Sequence, residues 1–333
     1  MKQLFNPEDI ERKVILILKI LNENTVSLGA RVIARKMKER GVQLSERTVR
    51  YHLKLMDEKG LTKLIGRRDG RAITSQGLEE ISDARVQDKI SLSISRIDVL
   101  SFKTTFNLKK RRGLVPVNIS FFPRDQFNNA LLVMKPVFKK KIAVCDRVAV
   151  APAGRKLGEI IVPEGKIGLA TVCSILINGV LLTHGIPIDS KFGGILQVRN
   201  KEPLRFVEFI HYSGSSLDPS EIFIRGKMTS VKDVVEKGEG KILANFREIP
   251  ALSRTLVEDI TTDFNKAGIN GILSIGTVGN PICQTDVDIN KVGMVLVGGL
   301  NPVAAAHEEG FDVDNKAMST VMEFEDLRNI EEL

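Results

Sequence analysis

Leu44–Leu61, LSERTVRYHLKLMDEKGL, runs directly into LTKLIGRRDGRAI at Leu61–Ile73. Ser45 stands just ahead of an apolar periodicity, where its hydroxyl can accept a hydrogen bond from an unsatisfied first-turn amide. Val49, Leu53 and Met56 recur at helical spacing and predict one buried stripe. At roughly 100° per residue, Arg47, Arg50, Tyr51 and Lys54 gather on the opposite arc, and Gly60 stops the helix. Leu61–Ile65 and Arg71–Thr74 read as two short strands around Asp69-Gly70, a strong hairpin signal, with Arg67 and Arg68 at the tip. This is the pattern of a recognition helix followed by a wing.

The segment upstream completes the motif. Residues from about Asp9 to Leu21 carry Ile10, Val14, Ile17, Leu18 and Leu21 as a helical stripe. Gly29–Arg40 contributes Val32, Ile33 and Met37, and Gly41–Leu44 is the turn. A cationic arc with one aromatic suits a DNA major groove, because Arg and Lys bind phosphates and guanine edges. The candidate DNA contacts are Ser45, Arg47, Thr48, Arg50, Tyr51 and Lys54 on the helix, with Arg67, Arg68 and Arg71 on the wing. A plain solvated face is the competing reading for any single basic helix; the ordered trio of helices and the wing weigh against it.

Charge is distributed to match. Residues 1–85 hold 18 Lys plus Arg against 12 Asp plus Glu, leaving 31 against 29 for the remainder of the 333-residue chain. Most of the basic excess therefore lies in the first quarter, as a nucleic-acid footprint requires. The three cysteines lack metal-type CxxC spacing, so neither a zinc site nor a disulfide framework is expected. No apolar run is long enough for a membrane span and Met1–Pro7 does not read as a signal peptide, which predicts a cytoplasmic protein. The expected organisation is a winged helix-turn-helix over 1–75, a helical linker over 76–89, and a body over 90–333.

The body reads as an internal duplication. An offset of 125 residues pairs Gly113 with Gly238, Phe121 with Phe246, Leu131 with Leu256, Gly154 with Gly279, and Val172 with Val297. A two-residue gap then pairs Asn178 with Asn301 and His184 with His307, and the inserted Glu308 and Glu309 restore the offset at Gly185/Gly310 and Asp189/Asp314. The halves, about 90–190 and 218–326, are joined by a hairpin segment, 191–217. The fold class is thus a mixed α/β (α+β) body behind a winged helix. In the second half Glu221–Ile224 and Ile242–Phe246 look like strands. Pro250 opens a helix to about Lys266 with Leu252, Leu256, Ile260 and Phe264 as its apolar stripe.

Two strand-to-helix turns carry potential chemistry. Gly298-Gly299-Leu300-Asn301-Pro302 follows an apolar run; its glycines allow a close turn, Asn301 can cap, and free amides at such a start favour an anion. Ser174–Gly179, just after Cys173, occupies the matching place. If the halves pack about a pseudo-twofold axis, both starts face one cleft suited to a dicarboxylate; otherwise they are ordinary capped turns. The candidate effector contacts are Cys173, Ser174, Asn178, His184, Arg247, Gly298, Gly299 and Asn301. Arg247 would clamp a carboxylate, or pair with an acid such as Glu248. No metal site is expected from the paired histidines, and Cys173 with His184 lacks the third residue of a catalytic set, so no catalytic residues and no resident cofactor are assigned.

Beyond the winged helix, VPEGKIGLATVCSILINGVLLTHGIP (Val162–Pro187), SKFGGIL (Ser190–Leu196), SGSSLDPSEIFI (Ser213–Ile224), ANFREIPA (Ala244–Ala251) and VGGLNPVAAAHEEGF (Val297–Phe311) resemble the archaeal NrpR family of nitrogen-assimilation repressors. The resemblance implies a dimeric, non-enzymatic repressor that binds an inverted-repeat operator and is released by 2-oxoglutarate. Some members carry two tandem effector domains, whereas this chain has room for one. A second NrpR-type subunit is therefore a further expected partner beside DNA and a second copy. Two other classes remain open at this point: a regulator that docks a partner protein through the body, and an enzyme acting on a small oxo acid.

Overall fold

The computed structural model describes residues 7–24, 27–66, 69–83 and 92–333, and the chain falls into two compact units. The first holds α1 (Pro7–Asn22), α2 (Ala30–Lys38), α3 (Glu46–Glu58), the hairpin of β1 (Thr62–Gly66) and β2 (Gly70–Ile73), and α4 (Ser75–Asp83). Ile17, Leu18, Ile33, Met37, Val49 and Leu53 are fully buried together. The heptad-like stripes of the three helices thus converge on one core. Leu28 exchanges backbone hydrogen bonds of 2.9 and 3.0 Å with Arg71, adding a third segment beside β2. The expected linker helix begins on Thr74, whose Oγ1 accepts from the Gly77 amide at 3.0 Å, and Ile81 packs on the core of this same unit. Its remainder, 84–89, lies outside the described residues.

The second unit consists of α5 (Leu92–Lys103) and two copies of one motif. The first copy is β3 (Leu114–Pro123), α6 (Phe127–Lys139), β4 (Arg147–Pro152), β5 (Lys166–Val172), α7 (Ile175–Thr183) and β6 (Asp189–Arg199). The hairpin partner β7 (Glu202–His211) and the helices α8 (Pro219–Arg225) and α9 (Val231–Lys237) intervene. The second copy is β8 (Gly240–Pro250), α10 (Arg254–Lys266), β9 (Ile272–Ile275), β10 (Lys291–Val297), α11 (Asn301–Glu308) and β11 (Asp314–Glu323). A short β12 (Arg328–Asn329) closes the chain against β4.

The duplication is real, and its two sheets exchange strands. One antiparallel sheet runs β11-β3-β5-β4-β12 and the other β9-β10-β8-β6-β7. The last strand of each copy, β6 or β11, therefore completes the sheet of the other copy. Buried apolar strands, such as β3 with eight successive buried residues, follow from covering both faces. The exchange fuses the halves into one core, since neither sheet is complete without the other repeat.

Register corrects part of the sequence alignment. Pro123 pairs with Lys166 and Pro250 with Lys291, so β3 matches β8 at an offset of 127, which equates Asn118 with Asn245 and Ser120 with Arg247. Phe121/Phe246 and Leu131/Leu256 are consequently two residues out of step. The true gap is the connection before β4 and β9, residues 140–146 against 267–271. From there an ungapped offset of 125 holds: the helix-closing glycines Gly185 and Gly310, both left-handed at φ 74° and 87°, fall into place without insertion. Asn301 then matches Leu176 rather than Asn178, and His307 matches Leu182 rather than His184.

Two element assignments also change. Glu221–Ile224 belongs to α8, not a strand: the Asp218 carboxylate accepts from the Ser220 and Glu221 amides at 2.9 and 3.3 Å, and Pro219 fits the first turn. Pro250 ends β8 instead of opening a helix; a 3-10 turn at Ala251–Ser253 precedes α10. That delay rotates the helix, burying Val257, Ile260 and Phe264 while Leu252 is fully exposed.

Candidate functional site

In the head, the Ser45 hydroxyl caps α3 by accepting from the Thr48 amide at 3.1 Å and lies 2.8 Å from the Thr48 hydroxyl. Arg47, Arg50, Tyr51 and Lys54 all face outward, Tyr51 at 62 % exposure, so the predicted arc is assembled as read. Arg50 pairs with Glu46, and Lys54 lies 3.9 Å from Glu58. Exposed pairs one helical turn apart contribute only about 0.3–0.5 kcal/mol, so phosphates can displace them readily. Arg71 is placed differently: its Nε donates to Asp57 at 2.6 Å, and the Thr62 hydroxyl donates to the other oxygen of that carboxylate at 2.6 Å. Arg71 thereby fastens the wing to the end of α3. Arg67 and Arg68 lie outside the described residues. His52, 5 % exposed on the inner side of α3, went unremarked in the sequence because its neighbours dominate the pattern.

In the body, the two strand-to-helix turns do meet. A Cβ on Gly299 would lie 2.7 Å from both the Val172 carbonyl and the Asn118 Nδ2, and 3.2 Å from the Cys173 Cα. Only glycine lets the second-copy turn approach the first-copy turn this closely. The Thr171 hydroxyl donates to the Gly299 carbonyl at 3.1 Å across the same junction. Beside it lies a cavity of about 20 Å³, bounded by Cys173, Ser174, Asn118, Asn245, Arg247 and Gly299, with Tyr212, Asp218 and Met318 completing the wall.

Arg247 is the unusual member. It is 1 % exposed, its Nε has no hydrogen-bond partner, and it forms no ion pair among the described residues. Its Nη1 donates to the Phe246 carbonyl at 3.1 Å and its guanidinium lies 4.9 Å from the centre of the Tyr212 ring. Glu248, the expected acidic alternative, points elsewhere: it joins Asp189 and Asp288 around Lys191 Nζ, at 3.1, 2.9 and 2.8 Å. Burial opposes the charge on Lys191, but the hydrogen bonds it donates to the three carboxylates outweigh this and raise its pKa. The ammonium thus occupies the centre of that acidic trio.

Much of the rest of the wall is uncharged side chains held by hydrogen bonds. Tyr212 donates its hydroxyl to Asn245 Oδ1 at 2.6 Å, and Asn245 Nδ2 donates to the Ser174 hydroxyl at 3.1 Å. Burial pushes the phenol up to about 12, against the lowering influence of Arg247, and holds the Cys173 thiol up at about 11. A thiol so protonated is a poor nucleophile. Asn118 Oδ1 accepts from the Met318 amide at 3.0 Å, at a bulge in β11 where Met318 adopts φ 50°. Burial also raises Asp218, and raises Glu221, which accepts from the Ala317 amide, to about 7.

Of the eight expected effector residues, Cys173, Ser174, Arg247 and Gly299 line this cavity. Asn178 instead donates to the Ser190 hydroxyl at 3.0 Å, and Asn301 clasps the backbone of Leu243 through both amide atoms at 2.8 and 3.0 Å. Gly298 packs against Leu243, while His184 sits exposed at the opposite end of α7, bonded to the Val180 carbonyl at 2.8 Å. Cys173 and His184 are therefore not a catalytic pair. Asn118, Asn245, Tyr212 and Asp218 were missed; the Asn118/Asn245 match was the available signal, hidden by the misplaced gap. A larger hollow of about 300 Å³, bounded by Lys227, Glu208 and Lys241, is open at the surface and has no buried unpartnered polar group.

A winged helix joined to a duplicated body with a cationic cavity defines a DNA-binding regulatory protein. Residues 90–329 match the family described as NrpR regulatory domains NRD1 and 2, and residues 15–81 match the Ribonuclease R winged-helix domain. The chain belongs to the NrpR family of regulators and is not an enzyme. It is 38 % identical to the global nitrogen regulator NrpRI of Methanosarcina mazei over 96 % of this chain and 98 % of that one. It is 34 % identical to global nitrogen regulator NrpR of Methanocaldococcus jannaschii over 97 % of this chain, but spans only 56 % of that relative. A solved nitrogen repressor-like protein from Methanococcus jannaschii superposes with a TM-score of 0.61 at 28 % identity, covering 72 % of this chain and 99 % of its own. Among the described residues, no helix is long and apolar enough to cross a membrane.

Proposed function

We propose that this chain is a homodimeric transcriptional repressor of nitrogen-assimilation genes, released from an inverted-repeat operator when 2-oxoglutarate binds at the Arg247 cavity. The nitrogen role follows the names of the relatives. The observation that carries the ligand reading is Arg247, a guanidinium buried with no ion-pair partner among the described residues. Such a charge is costly alone and becomes favourable when a carboxylate arrives. The facing turn at Ser174 and the Gly299 turn supply neutral donors for the remaining oxygens of a small diacid.

The cavity of about 20 Å³ has room for only one or two waters at roughly 10–15 Å³ each. A five-carbon diacid requires the junction between the two repeats to open. That requirement supplies the linkage: effector binding favours the opened body, and a body bistable in this way releases DNA if only the closed form fits the operator. A coupling of roughly 1–3 kcal/mol changes operator affinity about 5- to 150-fold.

Fluorescence anisotropy of the full chain on an inverted-repeat promoter fragment, at fixed salt, tests both parts. Weakening by 2-oxoglutarate and not by succinate is expected. Tight binding indifferent to 2-oxoglutarate overturns the effector assignment, and no specific binding overturns the repressor reading.

A further inference from the structure

Four exposed apolar side chains cluster at one corner of the second repeat. Leu252 is 101 % exposed, Ile289 88 %, Val278 48 % and Leu256 44 %. Their proximity follows from backbone bonds. The β8–β10 ladder pairs Pro250 with Lys291 and the Ala251 amide donates to the Asn290 carbonyl at 2.9 Å, so Leu252 and Ile289 each stand one residue beyond a bonded pair. Leu256 lies one turn beyond Leu252, and Arg254 Nε donates to the Gly276 carbonyl at 3.0 Å, drawing in the segment that carries Val278. Their combined exposed area is on the order of 500 Å², within the range of patches that mark interaction sites.

The first repeat provides an internal control. The same extension exists there, from the Arg124 amide to the Gly165 carbonyl at 3.1 Å. At the offsets fixed by register, the equivalent positions are Asp125, Asn129, Ala153 and Glu164. The fold thus tolerates polar residues at this corner, and only the second copy makes it apolar. Neither folding nor packing within the chain requires Leu252 or Ile289.

We propose that this corner is the face through which two copies of the chain associate, a proposal that rests on the dimer reading above. A two-fold interface uses the same patch on both partners, so one apolar patch per chain closes at a dimer, whereas a patch on each repeat would continue into a filament. The rim is self-complementary: Arg254 and Glu258 lie one turn apart at 2.9 Å, so an antiparallel copy sets each against its opposite. The patch supplies more than half of the roughly 800 Å² per partner that a standard interface buries, leaving the charged rim to provide the rest.

Sedimentation of the full chain with Leu252→Asp and Ile289→Glu, the residues of the first repeat, tests the surface. The unaltered chain is expected at twice its 36.9 kDa mass, and the double variant as a folded monomer with dimer affinity reduced more than about tenfold. Leu132→Glu, at a 67 % exposed apolar position on α6, is expected to stay dimeric. A double variant that remains dimeric like the unaltered chain overturns the surface and leaves the dimer standing. An unaltered chain that is monomeric across concentrations overturns both. The 2-oxoglutarate response, read separately, bears on neither.

Discussion

The two repeats of the body share a backbone and differ where their duties differ. Asn118 and Asn245 occupy the same strand position and both line the cavity, one holding the Met318 amide and the other joining Tyr212 to Ser174. Two residues along, the first repeat has Ser120 and the second has Arg247. At the corner beyond, Asp125 and Glu164 face Leu252 and Ile289 as counterparts. The lesson is that duplication preserves what the exchanged sheets need from both halves. Departures from symmetry mark what one half has alone: a buried guanidinium, and exposed apolar side chains at Leu252 and Ile289.

The largest expected effect removes the asymmetry at the cavity. Arg247→Met keeps the volume and discards the buried charge. A charge-assisted contact to a buried carboxylate accounts for about 2–5 kcal/mol, so 2-oxoglutarate affinity should fall by a factor of roughly 30 or more. Stability in the absence of ligand should hold or rise, because an unpaired buried cation is replaced by apolar packing. Calorimetric titration beside a thermal melt reads both. Undiminished 2-oxoglutarate binding in the variant would break the comparison, since the one-sided guanidinium would then have no ligand role.

Truncating the shared asparagines sharpens the same comparison at a lower magnitude. Asn245→Ala strands the Tyr212 hydroxyl and the Ser174 hydroxyl, whereas Asn118→Ala strands the Met318 amide. Leaving a buried polar group unsatisfied costs about 1–3 kcal/mol. Each variant should therefore lower the melting temperature by roughly 2–4 °C per kcal/mol lost, with Asn245→Ala the more damaging because two partners are abandoned. Equal losses would mean that the Tyr212–Asn245–Ser174 chain adds nothing beyond the scaffold role of its twin.

How much of this was legible in the sequence depended on where the signal came from. The head was readable because its helices are amphipathic at one period and end on local signals, Ser45 at one end of α3 and Gly60 at the other. The Arg71–Asp57 pair was not readable because Asp57 lies across a turn that spacing cannot fold. In the body, the offset near 125 revealed the duplication, yet exchange of β6 and β11 between sheets is a pairing of distant strands with no local trace. The helix α8 was signalled by Asp218-Pro219 and passed over in favour of the β-prone Ile222-Phe223-Ile224. Four of the eight expected effector residues fall on one cavity because strand-to-helix turns are legible motifs. Asn118 and Asn245 were not, because aligning on Phe121 and Phe246 put the gap in the wrong connection.

The smallest effect concerns a carboxylate with no counterpart in the first repeat. Glu221 on α8 accepts from the Ala317 amide at 2.7 Å, next to the bulge that carries Met318 into the cavity wall. Burial chiefly, with the neighbouring Asp218 charge adding to it, lifts its pKa from 4.5 to about 7. A folded-state pKa above the unfolded value means that the native form binds more protons between those limits. Stability therefore declines as pH rises from about 4.5 to 7 and is level above. Glu221→Gln retains an acceptor for Ala317 without the titration, so it should melt higher than the unaltered protein at pH 8 and match it near pH 4.5. Partial solvent screening limits the gain to about 1 kcal/mol. The residual slope should belong to Asp218, which burial raises in the same direction. A variant whose melting temperature tracks the unaltered protein at every pH would show that Glu221 titrates as an ordinary surface carboxylate, and the α8 segment would then contribute to the cavity through Asp218 and Ser220 alone.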